Sequence, residues 1–121
     1  MGSNNIYIAE RDNARVLKWS PGATQGIVVA GGNGVGSGLN KLANPCGVWV
    51  DNNSNVYVAD LGNGRVVKWV PNATQGIIVA GNNGFGSALN QLSEPFAVWV
   101  DASGYIYISD QANHRVVKWA Q

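Results

Sequence analysis

A repeat of about 50 residues, running along the chain without gaps, is the feature that most limits how this sequence can fold. Two short segments each occur three times at that spacing. They are NIYIAE, NVYVAD and YIYISD at residues 5–10, 55–60 and 105–110, and RVLKW, RVVKW and RVVKW at 15–19, 65–69 and 115–119. Self-similarity at a fixed period is the signature of a repeat architecture, in which each unit buries its apolar faces against its neighbours.

One period contains four short runs rich in Val, Ile, Tyr and Trp, separated by Gly, Asn, Asp and Pro. The runs in the central copy are residues 47–51, 56–59, 65–70 and 76–80. Four such strands are the content of one β-propeller blade. The fold predicted is all-β, with blades of four antiparallel strands. We divide the chain into a partial blade (4–46), a complete blade (47–96) and a second partial blade (97–121), ten strands in all, and expect the apolar fourth strand of a blade to be covered on both faces.

Charge and composition exclude several function classes. The formal net charge is +1 and only 12% of the residues are charged, without a basic run, so strong phosphate binding is not predicted. Cys46 is the one cysteine, which excludes an intrachain disulfide. No apolar run approaches the roughly 20 residues needed to cross a bilayer, so no membrane partner is predicted. The start, Met1-Gly2-Ser3, lacks the parts of a signal peptide.

The motifs of the period resemble those of the NHL repeat family. The first motif is Pro-x-Gly-Val-x-Val-Asp at residues 45–51. The second, within residues 55–69, consists of Tyr-x-Ala-Asp, then an Asn, then Arg-Val-x-Lys-Trp. Residues 113–116 (NHRV) resemble the segment that gives the family its name. The first copy departs from the pattern, with Glu10 for Asp and Ala14 before the arginine. This resemblance implies six-bladed propellers that serve as platforms for protein or RNA partners. It also implies a minority of related lyases and hydrolases with a metal in the central channel.

The number of strands is too small for a closed ring, which needs about four to eight blades of four strands. A curved fragment exposes strand edges and the apolar faces of its end blades, and both favour association. We therefore expect the chain to be its own partner. Two chains could form a six-bladed ring with gaps at the joins. Three chains could do so if each used two blades and one duplicated terminal strand pair were displaced.

Several recurring residues are candidates for structural or binding roles. A carboxylate, an amide and a guanidinium recur around one turn, where we predict that they fix the turn itself. They are Asp60, Asn63 and Arg65, and Asp110, Asn113 and Arg115. Five tryptophans recur in positions that indicate packing between blades. They are Trp19, Trp49, Trp69, Trp99 and Trp119. Three lysines could face a ligand and form a basic ring after assembly: Lys18, Lys68 and Lys118.

Other residues have more ordinary interpretations. The glycine-rich segments 31–38 and 81–87 lack a Gly-Lys-Ser/Thr ending, and we interpret them as crossings between blades, anchored by leucines. These are Leu39, Leu42, Leu89 and Leu92. Asp51 and Asp101 end the strand expected at the propeller centre and are predicted to cap its turn. His114 is expected to be an exposed turn residue, and Cys46 a small buried apolar residue.

Function is therefore predicted to be a non-enzymatic binding or scaffold module that completes a ring by self-assembly, with no catalytic residue, metal or cofactor. A natural protein or RNA ligand is compatible with it. One alternative is a fragment of a lyase- or hydrolase-type propeller, and near-identical blades argue against that. Another is an RNA-binding NHL platform. The abrupt ends also fit a designed or evolutionary-model chain.

Overall fold

The computed structural model describes residues 4–121, and within them it has ten strands and two short 3₁₀ turns. The strands are β1 (Ile6–Glu10), β2 (Arg15–Trp19), β3 (Ile27–Gly31), β4 (Pro45–Val50), β5 (Val56–Asp60), β6 (Arg65–Trp69), β7 (Ile77–Gly81), β8 (Pro95–Val100), β9 (Ile106–Asp110) and β10 (Arg115–Trp119). The 3₁₀ turns, Leu61–Asn63 and Gln111–Asn113, join β5 to β6 and β9 to β10.

These strands form three antiparallel sheets. The order is β1-β2-β3 in the first, β4-β5-β6-β7 in the second and β8-β9-β10 in the third. Each sheet is a meander, because the short turn-rich connections allow consecutive strands to pair. The second sheet has the four strands of a complete blade. The others have three, which correspond to strands two to four in the first sheet and one to three in the third. The predicted all-β class with antiparallel blades is confirmed.

The third and fourth strands of a blade pair in the same register in both sheets that contain them. Arg15 lies opposite Gly31 and Arg65 opposite Gly81, and the pairing is irregular after Val16 and after Val66. The glycine ends the fourth strand with φ of +75° at Gly81. A Cβ there would meet the carbonyl oxygen of Gly64, so this position requires glycine.

The sheets stack face to face and bury one apolar cluster at each junction. In the second sheet, the face toward the third sheet, called the leading face, contributes Tyr57, Ala59, Val66 and Ala80. Its opposite face, called the trailing face, packs on the first sheet through Val56, Val58, Val67 and Trp69. Alternation of side chains along each strand sends neighbours to opposite faces, so one strand serves both junctions.

The first strands of successive blades lie side by side at the narrow end of the stack. Gly47 in β4 is essential to this approach, because a Cβ would meet the carbonyl oxygen of Phe96 and the Cα of Ala97 in β8. Trp49 and Trp99 then make an edge-on contact, with ring centroids 5.9 Å apart. At the other rim, the prediction that the fourth strand is covered on both faces is wrong. Ile27 and Ile77 are exposed because the outermost strand has no sheet beyond it.

Candidate binding surfaces

The recurring carboxylate, amide and guanidinium form a compact buried group in the central blade. Arg65 Nε donates to Asp60 Oδ2 at 2.8 Å, and Asn63 Nδ2 donates to the same oxygen at 2.8 Å. Asp60 and Arg65 are both buried. A 3₁₀ turn, closed by Gly64 in the left-handed conformation, holds the three side chains on one side. The three side chains are therefore hydrogen-bonded to one another across the turn, as the predicted role requires.

This group also holds the crossing that arrives from the preceding blade. Arg65 Nη1 donates to the carbonyl of Ser37, and Nη2 donates to the carbonyls of Gly38 and Lys41. Asn63 Nδ2 donates to Gly36 O at 2.9 Å, and Ala43 N donates to Asp60 Oδ1 at 2.7 Å. Three side chains of one hairpin therefore organise residues 36–43, which lie about half a period earlier in the chain.

The last copy repeats the arrangement and the first copy does not. Asp110, Asn113 and Arg115 bind the carbonyls of residues 86–91 and the amide of Ser93 in the same way. Burial alone would raise the pKa of Asp110, but the hydrogen bonds from Asn113, Ser93 and Arg115 hold it below its usual value.

In the first copy, Arg15 Nε donates to Glu10 at 2.5 Å, and Asn13 also donates to Glu10. The hydrogen bond from Arg15, followed by that from Asn13, lowers the pKa of the carboxyl. Within residues 4–121, no crossing precedes this hairpin.

Each crossing is folded by its own side chains as well. Asn33 Nδ2 donates to the carbonyl of Asn40, and Asn83 Nδ2 donates to that of Asn90. Of the four leucines predicted to anchor the crossings, Leu42 and Leu92 are fully buried. Leu39 is 41% exposed and Leu89 is 83% exposed, so those two assignments are wrong. They occupy the outer turn of the crossing, away from the blade junction.

The five tryptophans occupy different environments. Trp69 is buried in the junction between the first and second sheets, and Trp49 and Trp119 pack on the junction between the second and third. Trp99 lies 5.2 Å from the ring of Tyr107 and remains half exposed. Trp19 is half-buried at the trailing face of the first sheet.

Among the described residues, two sheet faces are not covered by another sheet. On the leading face of the third sheet, Val116 is 70% exposed, whereas its equivalent Val66 is fully buried. On the trailing face of the first sheet, Ile8 is 44% exposed, whereas its equivalent Val58 is fully buried. These two open faces carry the same kinds of residues as the faces that meet inside the chain.

Clefts of mixed polarity lie between adjacent blades, near the turns that follow the first strands. The cleft between the second and third sheets has a volume of about 500 Å³ and is lined by Asp51, Asp101, Lys68 and Tyr57, among others. A smaller cleft of about 250 Å³ between the first and second sheets contains Lys18. Lys118 lies over the ring of Tyr105, with Nζ 4.3 Å from its centroid. The three lysines therefore have separate surroundings.

Asp51 and Asp101 accept hydrogen bonds within their own turns. Asp51 Oδ1 accepts from the amides of Asn53 and Asn55, and Asp101 Oδ1 accepts from those of Ser103 and Tyr105. Desolvation would raise the pKa of Asp101. The hydrogen bonds from Tyr105, Tyr107 and Ser103, with the charge of Lys118, outweigh it and lower the pKa. Among residues 4–121 there is no cluster of three or more His, Cys, Asp or Glu that could hold a metal ion.

His114 and Cys46 were the two potential reactive side chains. His114 is exposed and adopts the left-handed conformation at the end of its 3₁₀ turn, where the other copies have Ala14 and Gly64. Cys46 is half-buried, so the prediction of a buried apolar residue is wrong for the degree of burial. Its thiol donates to the carbonyl of Asn44, and desolvation raises its pKa, which disfavours the thiolate.

Comparison with known proteins supports the architecture. No known family's sequence profile and no curated protein matches the sequence. A protein of unknown function from Bacteroides thetaiotaomicron has a similar structure, with a TM-score of 0.77 and 22% identity over 96% of this chain. An auxiliary nutrient binding protein from the same organism is similar, with a TM-score of 0.74 and 16% identity over 95%. The chain folds as part of a β-propeller. It spans 32% and 34% of those two chains, about a third of each.

One feature of the surface could not be found by considering each motif alone. Taken motif by motif, the sequence predicts only that the Asp, Asn and Arg group fixes its own turn, and not that it also bonds to the crossing. The pattern held a signal, because Asn63 follows Gly36 by the same spacing as Asn113 follows Gly86. The copy without a preceding crossing is also the one that has Glu10 in place of Asp.

In residues 4–121, no helix is long and apolar enough to cross a membrane.

Proposed function

We propose that this chain is a non-enzymatic binding or scaffold module of NHL type that completes its propeller by stacking on further copies of itself. The observation that carries the proposal is the match between the two open faces and the internal junctions. Val116 and Ile8, at opposite ends of the chain, occupy the positions that Val16 and Val58 fill where the first and second sheets meet. A leading face of one copy can therefore pack on the trailing face of another.

Such stacking is head-to-tail, so it forms a closed ring if the rotation between copies closes. Ile6 and Ile8 on one face, and Val116 on the other, would leave water at each contact. Burying an aliphatic side chain of this size contributes about 1.5–3 kcal/mol. Two copies would form a six-bladed ring with three-stranded blades at each join. Three copies would need one terminal hairpin of each chain to be displaced.

A binding role is proposed over an enzymatic one because the polar groups that recur in each copy already serve the fold. Asp60 and Arg65 bind each other and the crossing, and Asp51 binds its own turn. The cleft beside Lys68 and Tyr57 is the surface on which we place contact with a protein ligand. One protein of similar fold is the auxiliary nutrient binding protein, so a binding role is compatible with this architecture.

RNA is the second candidate ligand, because Lys68 lines the polar cleft between the second and third sheets. Asp51 and Asp101 line the same cleft, and their carboxylates repel phosphate. A protein ligand is therefore preferred. RNA binding through this cleft requires an affinity that falls steeply with salt and with Lys68→Glu. Binding that ignores both changes would exclude it.

Sedimentation of the 121-residue chain and of three single variants tests the assembly. Ile8→Lys and Val116→Lys each place a charge on one open face and should convert a ring of two copies to the monomer. Val35→Lys is the control, since Val35 is at least as exposed as Ile8 and close to Val116 in exposure but lies on a crossing. This variant should sediment like the original chain.

A monomeric original chain at micromolar concentration would contradict the proposal. So would an assembly that survives both charged variants. Circular dichroism of each variant shows whether the strands are retained, which separates loss of assembly from loss of folding.

A further inference from the structure

Besides its open faces, the chain has a strand edge whose normal occupant is present twice elsewhere in the molecule. β10 has the sequence of β6, pairs with β9 and ends its sheet. Its equivalents β2 and β6 each pair with a fourth strand on the corresponding side. Those strands and the residue before them read GIVVAG at 26–31 and GIIVAG at 76–81. We propose that in the 121-residue chain the β10 edge is a binding site for a separate peptide strand with this sequence pattern.

Steric contacts require glycine at the start of the segment, because a Cβ on Gly76 would meet Val67 Cγ1 and Trp69 Nε1. The main-chain amide of Gly76 also donates to the carbonyl of Leu39 at 2.7 Å. A Cβ on Gly26 would likewise meet Trp19 Nε1. In the third sheet the equivalent groups are the carbonyl of Leu89 and the indole of Trp119. Leu89, at 83% exposed, is twice as accessible as Leu39, whose outer turn is bonded to Gly76.

The last glycine is required by backbone geometry. Gly81 and Gly31 both have positive φ, and a Cβ on either would meet the carbonyl of the residue that precedes the arginine of the adjacent strand. This glycine lies opposite Arg65 in the second sheet and opposite Arg15 in the first. A strand added to β10 in the same register would place it opposite Arg115.

The residues between the two glycines are set by the register. Ala80 lies opposite Val66 and is buried, and Ile77 lies opposite Lys68 at the rim. On β10 the same register places the alanine opposite Val116 and the first isoleucine opposite Lys118. Addition of a strand to a sheet edge obtains affinity from main-chain hydrogen bonds and specificity from alternate side chains. This site does not depend on the stacking of copies into a ring.

A labelled peptide tests the site directly. The probe is a fluorescein-labelled peptide of residues 70–82, titrated against the Ile8→Lys chain, in which stacking of copies is blocked at a face remote from β10. We expect binding of one peptide per chain. Peptides with Gly76→Val or Gly81→Val should bind at least about tenfold more weakly, because the added side chain meets the neighbouring strand or opposes positive φ.

Amide hydrogen exchange provides the second readout. The peptide should slow exchange in Arg115–Trp119 and leave Ile6–Glu10, the edge strand of the first sheet, unchanged. Absence of binding, equal binding of the glycine variants, or protection of β1 would overturn the proposal. Displacement of the peptide by unlabelled chain would assign the edge to a second copy and would also overturn it. A monomeric original chain would contradict only the ring, because the titration uses a variant that cannot stack.

Discussion

The central sheet and the two end sheets have closely similar sequences and very different surroundings. All five residues of β5 and four of the five residues of β6 are buried. No residue is buried in β1, the equivalent of β5, or in β10, which has the sequence of β6. The comparison teaches that the burial of a side chain in this fold is set by the neighbouring blade more than by its own strand.

The turn group shows the same dependence. Arg65 binds its carboxylate and three carbonyls of a crossing in a closed environment, whereas Arg15 binds a partly exposed glutamate. A buried ion pair depends on having all its partners, because an unpaired charge inside a protein is costly. The Asn and Arg residues are the same in every copy, but we therefore expect their contribution to the unfolding free energy to differ between copies.

The largest expected effect is on the buried arginine. Arg65→Ala leaves the carboxylate of Asp60 buried without its cation and releases residues 36–43, so we expect a loss of about 3–5 kcal/mol of unfolding free energy. Arg115→Ala should cost less, and Arg15→Ala least. Urea unfolding of the three variants measures the order. Equal losses at Arg65 and Arg15 would show that the crossing contributes little.

A second comparison concerns one apolar position in two sheets. Val66→Ala removes two buried methyl groups from a packed junction and should cost about 2 kcal/mol. Val116→Ala should cost less than about 0.5 kcal/mol when both are measured in the Ile8→Lys chain, where the leading face stays open. Similar costs at the two positions would mean that burial of Val66 by the next sheet does not determine its contribution.

The choice of carboxylate can be tested by exchange. Asp60→Glu lengthens a side chain that already fits between Arg65 and the amide of Ala43, and overpacking of this kind costs about 1–3 kcal/mol. Glu10→Asp should change the unfolding free energy little, because within residues 4–121 that carboxylate holds no crossing. Thermal unfolding of both variants, compared with the original chain, measures the two losses. A greater loss from Glu10→Asp than from Asp60→Glu would contradict the assigned roles.

The smallest expected effect is on the dependence of stability on pH. The folded pKa of Asp110 is below its ordinary value of about 3.9, so its contribution is complete above that pH and is lost as the pH falls through the folded pKa. Asp110→Asn should flatten the decrease of unfolding free energy below about pH 4. An unchanged slope in denaturant titrations at several acidic pH values would show that this carboxyl does not titrate with folding.

The fold was accessible from sequence because a propeller blade is a local structure. Four alternating strands and their turn residues identify each sheet, and the repeat supplies the number of copies. Contacts between periods were less accessible. Arg65 donates to carbonyls 24–28 residues away in the chain. No residue type in that loop indicates these hydrogen bonds, since main-chain oxygens are common to all residues.

Burial was also difficult to predict where it depends on position in the stack. Leu39 and Leu42 are both leucines of one crossing, but only Leu42 points into a junction. Ile77 is apolar and lies at the rim, where no further sheet covers it. The hydrophobic pattern identifies strands, and the arrangement of sheets decides which of their apolar residues are enclosed.

Cross-linking between the two open faces tests the central claim most directly. In a Cys46→Ser chain, Ile8→Cys and Val116→Cys would be joined by a short bis-maleimide. If a leading face packs on the trailing face of another copy, covalent products of two chains should form, and a chain with Val35→Cys in place of Ile8→Cys should form no such closed products. The account would be contradicted if both cysteines react with the reagent but only single, uncross-linked chains are recovered at concentrations where the strands are intact.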